Sequence, residues 1–316
     1  MATYLARRLV LMVPTLLVVS VMVFVIMRLL PGDVVNLMFQ DLGYAQSLAE
    51  MRAKLGLDLP FYQQYGRWLG NVLRGNLGES LWTQRSVLSV LAERLPVTLE
   101  LGLLSLAFAV VYGAVTGVAA AISQDRWPDM TLRSVAMMFL SLPSFWLGTL
   151  AIVVPSIWLG WSPSLQLVPF GASPRDNLIQ FALPAAILGS HLGAPIMRMT
   201  RAMMLEVLRH DYVRTARAKG LSPAPVVLKH ALRNAIIPSV TILGVQASQA
   251  IAGSIVMETL FQLPGMGSLL VEALAHRDFP MFQSLVLFLA MFVMAVNLLV
   301  DLTYFAIDPR TRAQVG

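Results

Sequence analysis

Long apolar runs separated by shorter polar stretches dominate the chain. Runs at 9–30, 96–122, 134–157, 182–204, 235–257 and 282–305 each reach the length of about 20 residues that a helix needs to cross a bilayer. The pattern predicts an all-α, polytopic membrane protein with six spans. The first run follows Arg7 and Arg8, exceeds a signal-peptide core and is followed by no small-residue cleavage site, so it is expected to stay as a span. Between the first two runs lies a polar segment, 31–95. In its stretch PFYQQYGRWLGNVL, Phe61, Tyr65, Trp68, Leu69 and Val72 recur at helical spacing and predict an amphipathic helix against the outer membrane face. Pro143, Pro184, Pro195 and Pro238 punctuate the later spans, each removing a helical hydrogen bond and favouring a kink.

Composition agrees with this pattern: 57% of residues are hydrophobic and 13% charged. The formal net charge of +6 suggests nucleic acid in a soluble protein, but cytoplasmic loops of membrane proteins carry excess Lys and Arg anyway, so no nucleic-acid partner is implied. Arg7, Arg8, Arg126, Arg133, the cluster from Arg198 to Arg233, Arg310 and Arg312 fall on one side of a six-span arrangement. The two short opposite loops carry only Arg175 and Arg277, which places both termini in the cytoplasm. The segment 31–95 is long enough to translocate regardless of its charge.

Several chemistries are excluded. With no cysteine there is no disulfide, thiolate metal site or cysteine nucleophile. The histidines at 191, 210, 230 and 276 lack metal-ligand spacing, and no serine-hydrolase motif occurs. The three lysines, Lys54, Lys219 and Lys229, do not lie in a phosphate-binding loop. The chain is expected to be non-catalytic, and any ATPase must be another polypeptide.

The segment RHDYVRTARAKGLSPAP, 209–225, separates two of the most apolar regions. Asp211 is expected to cap a short helix running to Lys219, Gly220 to end it, and Ser222 with Pro223 to start another that feeds into the fifth span. Arg214 and Arg217 share a face, whereas Val213 and Ala216 with Gly220 form a low apolar strip suited to close approach by another surface. A basic loop lying on anionic headgroups explains the same charges.

Resemblance bears on that choice. DYVRTARAKGLS followed by LKHALRNAIIP resembles the cytoplasmic coupling segment of ABC importer permeases of the dipeptide, oligopeptide and nickel type. Against that family's wider E-A-A-x-x-x-G pattern the aligned residues are Arg214, Thr215, Ala216 and Gly220, two of which match. LGLDLPFYQQYGRWLGNVLRGNLGES, ETLFQLPGMGSLLVEALAHRDFP and NLLVDLTYFAIDPRTR are similar to further segments of the same permeases, in the same order. The resemblance implies a type I ABC importer permease fold with six helices, both termini inside and an extracytoplasmic segment between helices 1 and 2. It divides the chain into 1–30, 31–95, a core at 96–305 with a coupling region at 205–234, and a tail at 306–316.

The same resemblance implies a peptide permease with a second homologous permease, two ATPase subunits carrying ATP and magnesium, and an extracytoplasmic solute-binding protein. No cofactor is expected on this chain. It assigns ATPase coupling to Asp211, Arg214, Thr215, Ala216, Arg217, Ala218, Lys219, Gly220 and Ser222. Nickel complexes and other small solutes are alternative cargoes, and an ion-driven secondary transporter is the alternative mechanism.

Polar residues inside spans are costly and need partners or water. Gln246, Ser248 and Gln249 are candidates to line a peptide path or to bond between helices, and His191 is expected to bond inside the bundle, with a place along a pathway as the alternative. Asn297 and Asp301 share a face in the last span, where Asp301 is expected to pair with a cytoplasmic arginine. Glu258, Pro264, Gly265, Gly267 and Asp278, with Glu272, are expected in an outer loop, as gate or binding-protein contact.

Overall fold

The computed structural model describes residues 2–29 and 58–307, and the structure over these is helical, with one isolated antiparallel bridge between Glu79 and Ser86. Contacts divide the chain into two units, one built mainly from 1–95 and 269–298, the other mainly from 96–268 and 299–314. Residues 31–57 of the expected segment 31–95 and nearly all of the tail 306–316, including Arg310 and Arg312, lie outside the described residues.

In the first unit, α1 (Ala2–Leu29) carries a broad exposed apolar surface, and α2 (Phe61–Leu73) packs against it. Phe24 lies edge-on to Tyr65 at 5.4 Å and 6.0 Å from Trp68, and the Tyr65 hydroxyl lies 2.9 Å from Ser20 Oγ. Arg28 donates to Gln64 Oε1, which fixes the polar edge of the contact. The amphipathic helix is therefore present, but Phe61, expected on its inner face, is exposed.

The second unit holds most of the remaining helices. α3 (Val87–Ile122) starts in the first unit and continues into the second, where α4 (Trp127–Ser141), α5 (Ser144–Leu159), α6 (Pro174–Val207), α7 (Asp211–Ala218) and α8 (Ile237–Phe261) follow. α9 (Met266–Ala275) and α10 (Phe279–Ile307) complete the chain order. Among the described residues, four helices are long and apolar enough to cross a membrane, and the number rises to as many as six when each of two bent pairs counts as one span.

The third expected span is one of these bent pairs: α4 and α5 meet at 101°. Pro143 explains the break, because its ring pushes the preceding residue out of the helical region, and Leu142 is extended at φ −88°, ψ 131°. Pro184 and Pro195 instead remain inside α6, and Pro238 sits at the first positions of α8, where a missing N–H costs nothing. The fifth span runs on to Phe261, beyond its expected end.

The core is built around α6. Phe181, Leu188, Leu192 and Ile196 pack with Leu101, Ala109, Met257 and Phe261. α3 and α6 approach closely through glycines: a Cβ on Gly117 would meet Thr200 at 2.7 Å, and one on Gly193 would meet Tyr112 at 2.7 Å. Small residues at such crossings let membrane helices gain dispersion contact where the hydrophobic effect between helices is absent.

Candidate functional site

The segment after α6 folds into a short helix held from one side only. α7 begins at Asp211 and ends at Ala218, with His210 as the residue before it. Asp211 is thus the first helical residue rather than the cap, and no side-chain cap bond forms; its carboxylate still favours the positive end of the helix dipole, as Arg217 does the negative end. Gly220 stops the helix at φ +82°, a conformation that costs other residues a Cβ clash, and its N–H bonds Arg217 O at 2.9 Å. Ser222 is extended and Pro223 opens the next turn, without a side-chain cap bond.

The continuation is not one helix. Pro223–Pro225, a π-helical turn at Val226–Ala231 and Leu232–Ala235 form a segmented connector into α8. A helix as short as α7 does not persist alone in water. It is supported by Val213 and Ala216, which are buried with Met204, Val207, Val226, Val227, Ala231 and Ala235. The apolar strip expected to meet another protein is therefore filled by this chain, and Ala216 contributes packing rather than an exposed contact. Asn234 Nδ2 donates to the Tyr212 hydroxyl at 2.8 Å and ties the rim of α7 to the connector.

What remains exposed on α7 and its turn is Tyr212, Arg214, Thr215, Arg217, Ala218, Lys219, Gly220 and Leu221, with Asp211 and Ser222 at the ends. The Asp211–Arg214 pair, at 3.5 Å, is almost fully solvated and carries little stability. The surface is cationic, fixed in pose and not consumed by the fold.

A buried ion pair near this region has no counterpart among the expected residues. Asp129, fully buried at the start of α4, accepts from Arg201 Nε at 2.7 Å and from Arg201 Nη2 at 2.6 Å. The Asp125 N–H adds a third bond at 3.0 Å, and Arg133 lies 3.6 Å away. The fork geometry of guanidinium on carboxylate locks α4 and the loop before it to the last turns of α6, directly ahead of α7. The sequence signal was an acidic residue and an arginine at the ends of two spans, which reads as ordinary loop charge until the helices are placed.

The polar residues expected along a path separate. Gln246 is buried and donates from Nε2 to Leu192 O at 2.5 Å, an interhelical bond inside the chain, so it does not line a path here. Gln249 is exposed and Ser248 half-buried, so Gln246 and Gln249 do not act on one surface. His191, as expected, bonds inside the bundle, with Nδ1 2.8 Å from Phe139 O.

Most of the residues expected in an outer loop are interior. Glu258 lies in the last turn of α8, not in a loop, and has no exposed surface. Its Oε2 takes the Gly267 N–H at 2.6 Å and the Ser268 N–H at 3.2 Å, so it caps the start of α9 across the turn. Gly265 and Gly267 are required by proximity: a Cβ on the first would fall on the Glu258 carboxylate and one on the second on Ile255 Cα. The Met266 N–H bonds Thr98 Oγ1 at 2.8 Å, while Pro264 is half-buried.

Asp278, within the first unit, is also buried. It accepts from Ser80 Oγ at 2.5 Å, Leu81 N–H at 3.2 Å and Met281 N–H at 3.2 Å, capping α10 and holding the turn at 80–82. Neither carboxylate presents a charge to a partner. Glu272 alone of the three outer acids is exposed, 3.7 Å from Arg94.

Long apolar helices and a core of close glycine crossings define a multi-pass helical membrane protein. Residues 113–313 match the family described as Binding-protein-dependent transport system inner membrane component, and residues 1–102 match Binding-prot-dependent transport system membrane comp, N-term. The chain belongs to this family. The di/tripeptide transport system permease protein DppB of Pseudomonas aeruginosa (strain UCBPP-PA14) is 42% identical, over 99% of this chain and all of its own. The glutathione transport system permease protein GsiC of Escherichia coli (strain K12) is 41% identical over 99% of each chain. A chain of the MetNI methionine ABC transporter, in an inward-facing conformation, matches at a TM-score of 0.55 over 69% of this chain and 96% of its own, with 18% identity. That likeness shows the fold, which is the type I ABC importer permease fold.

Proposed function

We propose that this chain is the permease subunit of an ATP-driven importer of di- or oligopeptides in a cytoplasmic membrane, with both termini inside. A second permease completes the path, an extracytoplasmic solute-binding protein delivers the peptide, and two ATPase subunits bind ATP and magnesium. The segment 31–95 is assigned to the outer side and the coupling region 205–234 to the cytoplasm. The peptide class rests on relatives named for di/tripeptide and glutathione transport, each matched over the full chain.

The observation that carries the coupling assignment is the one-sided support of α7. Val213 and Ala216 hold the helix against its own chain, while Arg214, Arg217 and Lys219 face outward in a fixed pose. An ATPase that pulls on α7 therefore moves α6 and the connector with it. The Asp129–Arg201 fork extends the same rigid body to α4.

Gly220 provides the test, because its φ is +82° and no atom lies within 4 Å of a Cβ built there. A valine at this position meets no neighbour but strains the backbone by about 1–3 kcal/mol, whereas asparagine tolerates the left-handed region better. In proteoliposomes holding the whole importer, Gly220→Val is expected to leave ATP hydrolysis but to lose peptide uptake, and Gly220→Asn to retain most uptake. Full uptake by Gly220→Val overturns the assignment.

A further inference from the structure

The first unit buries hydrogen-bond donors that its own residues do not answer. Among the described residues of that unit, the buried side-chain polar atoms without a partner are Arg28 Nη1, Trp68 Nε1, Arg277 Nη1 and Gln283 Nε2. All four are N–H groups, and no acceptor is among them. A buried donor left unmet is costly, and a charged one more so.

Three of the four gather at the last turn of α1. Arg28 donates from Nε to Gln64 Oε1 at 2.8 Å and from Nη2 to the same oxygen. Its guanidinium carbon lies 4.4 Å from the centroid of the Phe24 ring and 5.6 Å from that of Phe279. Trp68 follows Gln64 by one turn of α2 and lies 6.0 Å from Phe24, and Gln283 follows Phe279 by one turn of α10. Gln64 and the two rings thus hold the guanidinium with its Nη1 edge left over. Gln283 is buried and Arg28 and Trp68 are half-buried, so the group is enclosed on most sides but not sealed. Arg28 has no ion pair among the described residues, and Asp278, one residue before Phe279, is spent on Ser80, Leu81 and Met281.

The place of Arg28 along α1 points to the acceptor. The 22 residues from Arg8 to Leu29 extend about 33 Å at 1.5 Å per residue, against a hydrocarbon thickness of about 30 Å, and no charge lies between Arg8 and Arg28. Arg28 is therefore held at the level of lipid headgroups. It ends a stripe of Val21, Val25 and Arg28 whose valines are 40% and 43% exposed, while Ser20, Phe24 and Met27 on the adjoining stripe are buried. The guanidinium stands where the packed face of α1 meets its open apolar face. Guanidinium forks match phosphate oxygens, and indole and amide N–H groups add neutral donors. We infer that the first unit binds one phospholipid at this end of α1. Its phosphate takes Arg28 Nη1, with Trp68 and Gln283 as further donors, and its acyl chains lie along Val21 and Val25. A free phosphate ion offers the same oxygens but none of the apolar contact.

The test uses the detergent-purified complex and two photoactivatable lipids, a phosphatidylglycerol and a diacylglycerol, each with a diazirine near the top of one acyl chain. Labelled positions on this chain are mapped by peptide mass spectrometry. Phosphatidylglycerol is expected to label 21–29 several-fold more than diacylglycerol does, while 10–18 favours neither probe. Arg28→Gln and Gln283→Leu are each expected to remove that preference, and Arg74→Gln, at an exposed arginine of the same unit, to keep it. Gln283→Leu removes an unmet donor rather than a partner, so it reads the site even where Arg28→Gln fails to assemble. Equal labelling of 21–29 by the two probes leaves only ordinary contact with hydrocarbon and overturns the proposal. A preference that survives both substitutions overturns it too. So does its loss on adding millimolar inorganic phosphate, which would make the site one for the free ion.

Discussion

Two turns of the second unit use glycine and charge in opposite ways. At 211–220 the apolar residues are inside, the cations outside, and Gly220 stands in open space at a φ only glycine adopts comfortably. At 258–268 the carboxylate is inside, the glycines wrap it, and Gly265 and Gly267 are required because nothing larger fits. The second turn is closed: its polar groups are answered by backbone N–H groups of the same chain. The first is open, since its guanidinium groups face solvent and contribute little to the fold. A charged residue beside a glycine turn thus belongs either to a closed seam or to an open surface, and burial of the charge separates them.

The contrast breaks most severely at Glu258. Glu258→Ala strands the Gly267 and Ser268 N–H groups in the interior, at about 1–3 kcal/mol for each unmet donor. A clear fall in the melting temperature of the detergent-purified complex is expected, with Glu258→Gln falling less because an amide oxygen still accepts. Asp129→Ala comes next: it leaves Arg201, 16% exposed, without its fork partner. Losing one member of a buried pair costs about 3 kcal/mol, reduced here by the water that reaches Arg201. The expected signature is faster protease cleavage in the 123–127 loop, and an unchanged cleavage rate contradicts the lock between α4 and α6. Smallest of all, Arg214→Ala with Arg217→Ala is expected to leave the melting temperature unchanged, as surface substitutions away from packed contacts do.

How much of this was legible depended on whether an element's role is local. Spans at 96–122, 182–204 and 282–305 are contained in α3, α6 and α10, because hydrophobic length is a property of the segment itself. The stop at Gly220 was equally readable, since helix termination depends on neighbouring residues. The partners of Glu258, Asp278 and Gln246 were not, because burial of a side chain is decided by elements distant in sequence. The two carboxylates flank a Pro- and Gly-rich stretch that resembles a surface loop, yet each caps a following helix. Asp129 and Arg201 lie 72 positions apart, and nothing in either local pattern announces a fork. The inward turn of Val213 and Ala216 followed from the same limit: periodicity shows which residues share a face, but not which body that face meets.

The central claim is that α7 presents a cationic surface to an ATPase subunit rather than to the rest of its own chain. It is tested most directly by purifying Arg214→Ala/Arg217→Ala with the other importer subunits and weighing the ATPase retained per permease. The account predicts a marked loss of bound ATPase and of uptake at an unchanged melting temperature. Retention of the full complement of ATPase, with uptake intact, would contradict it.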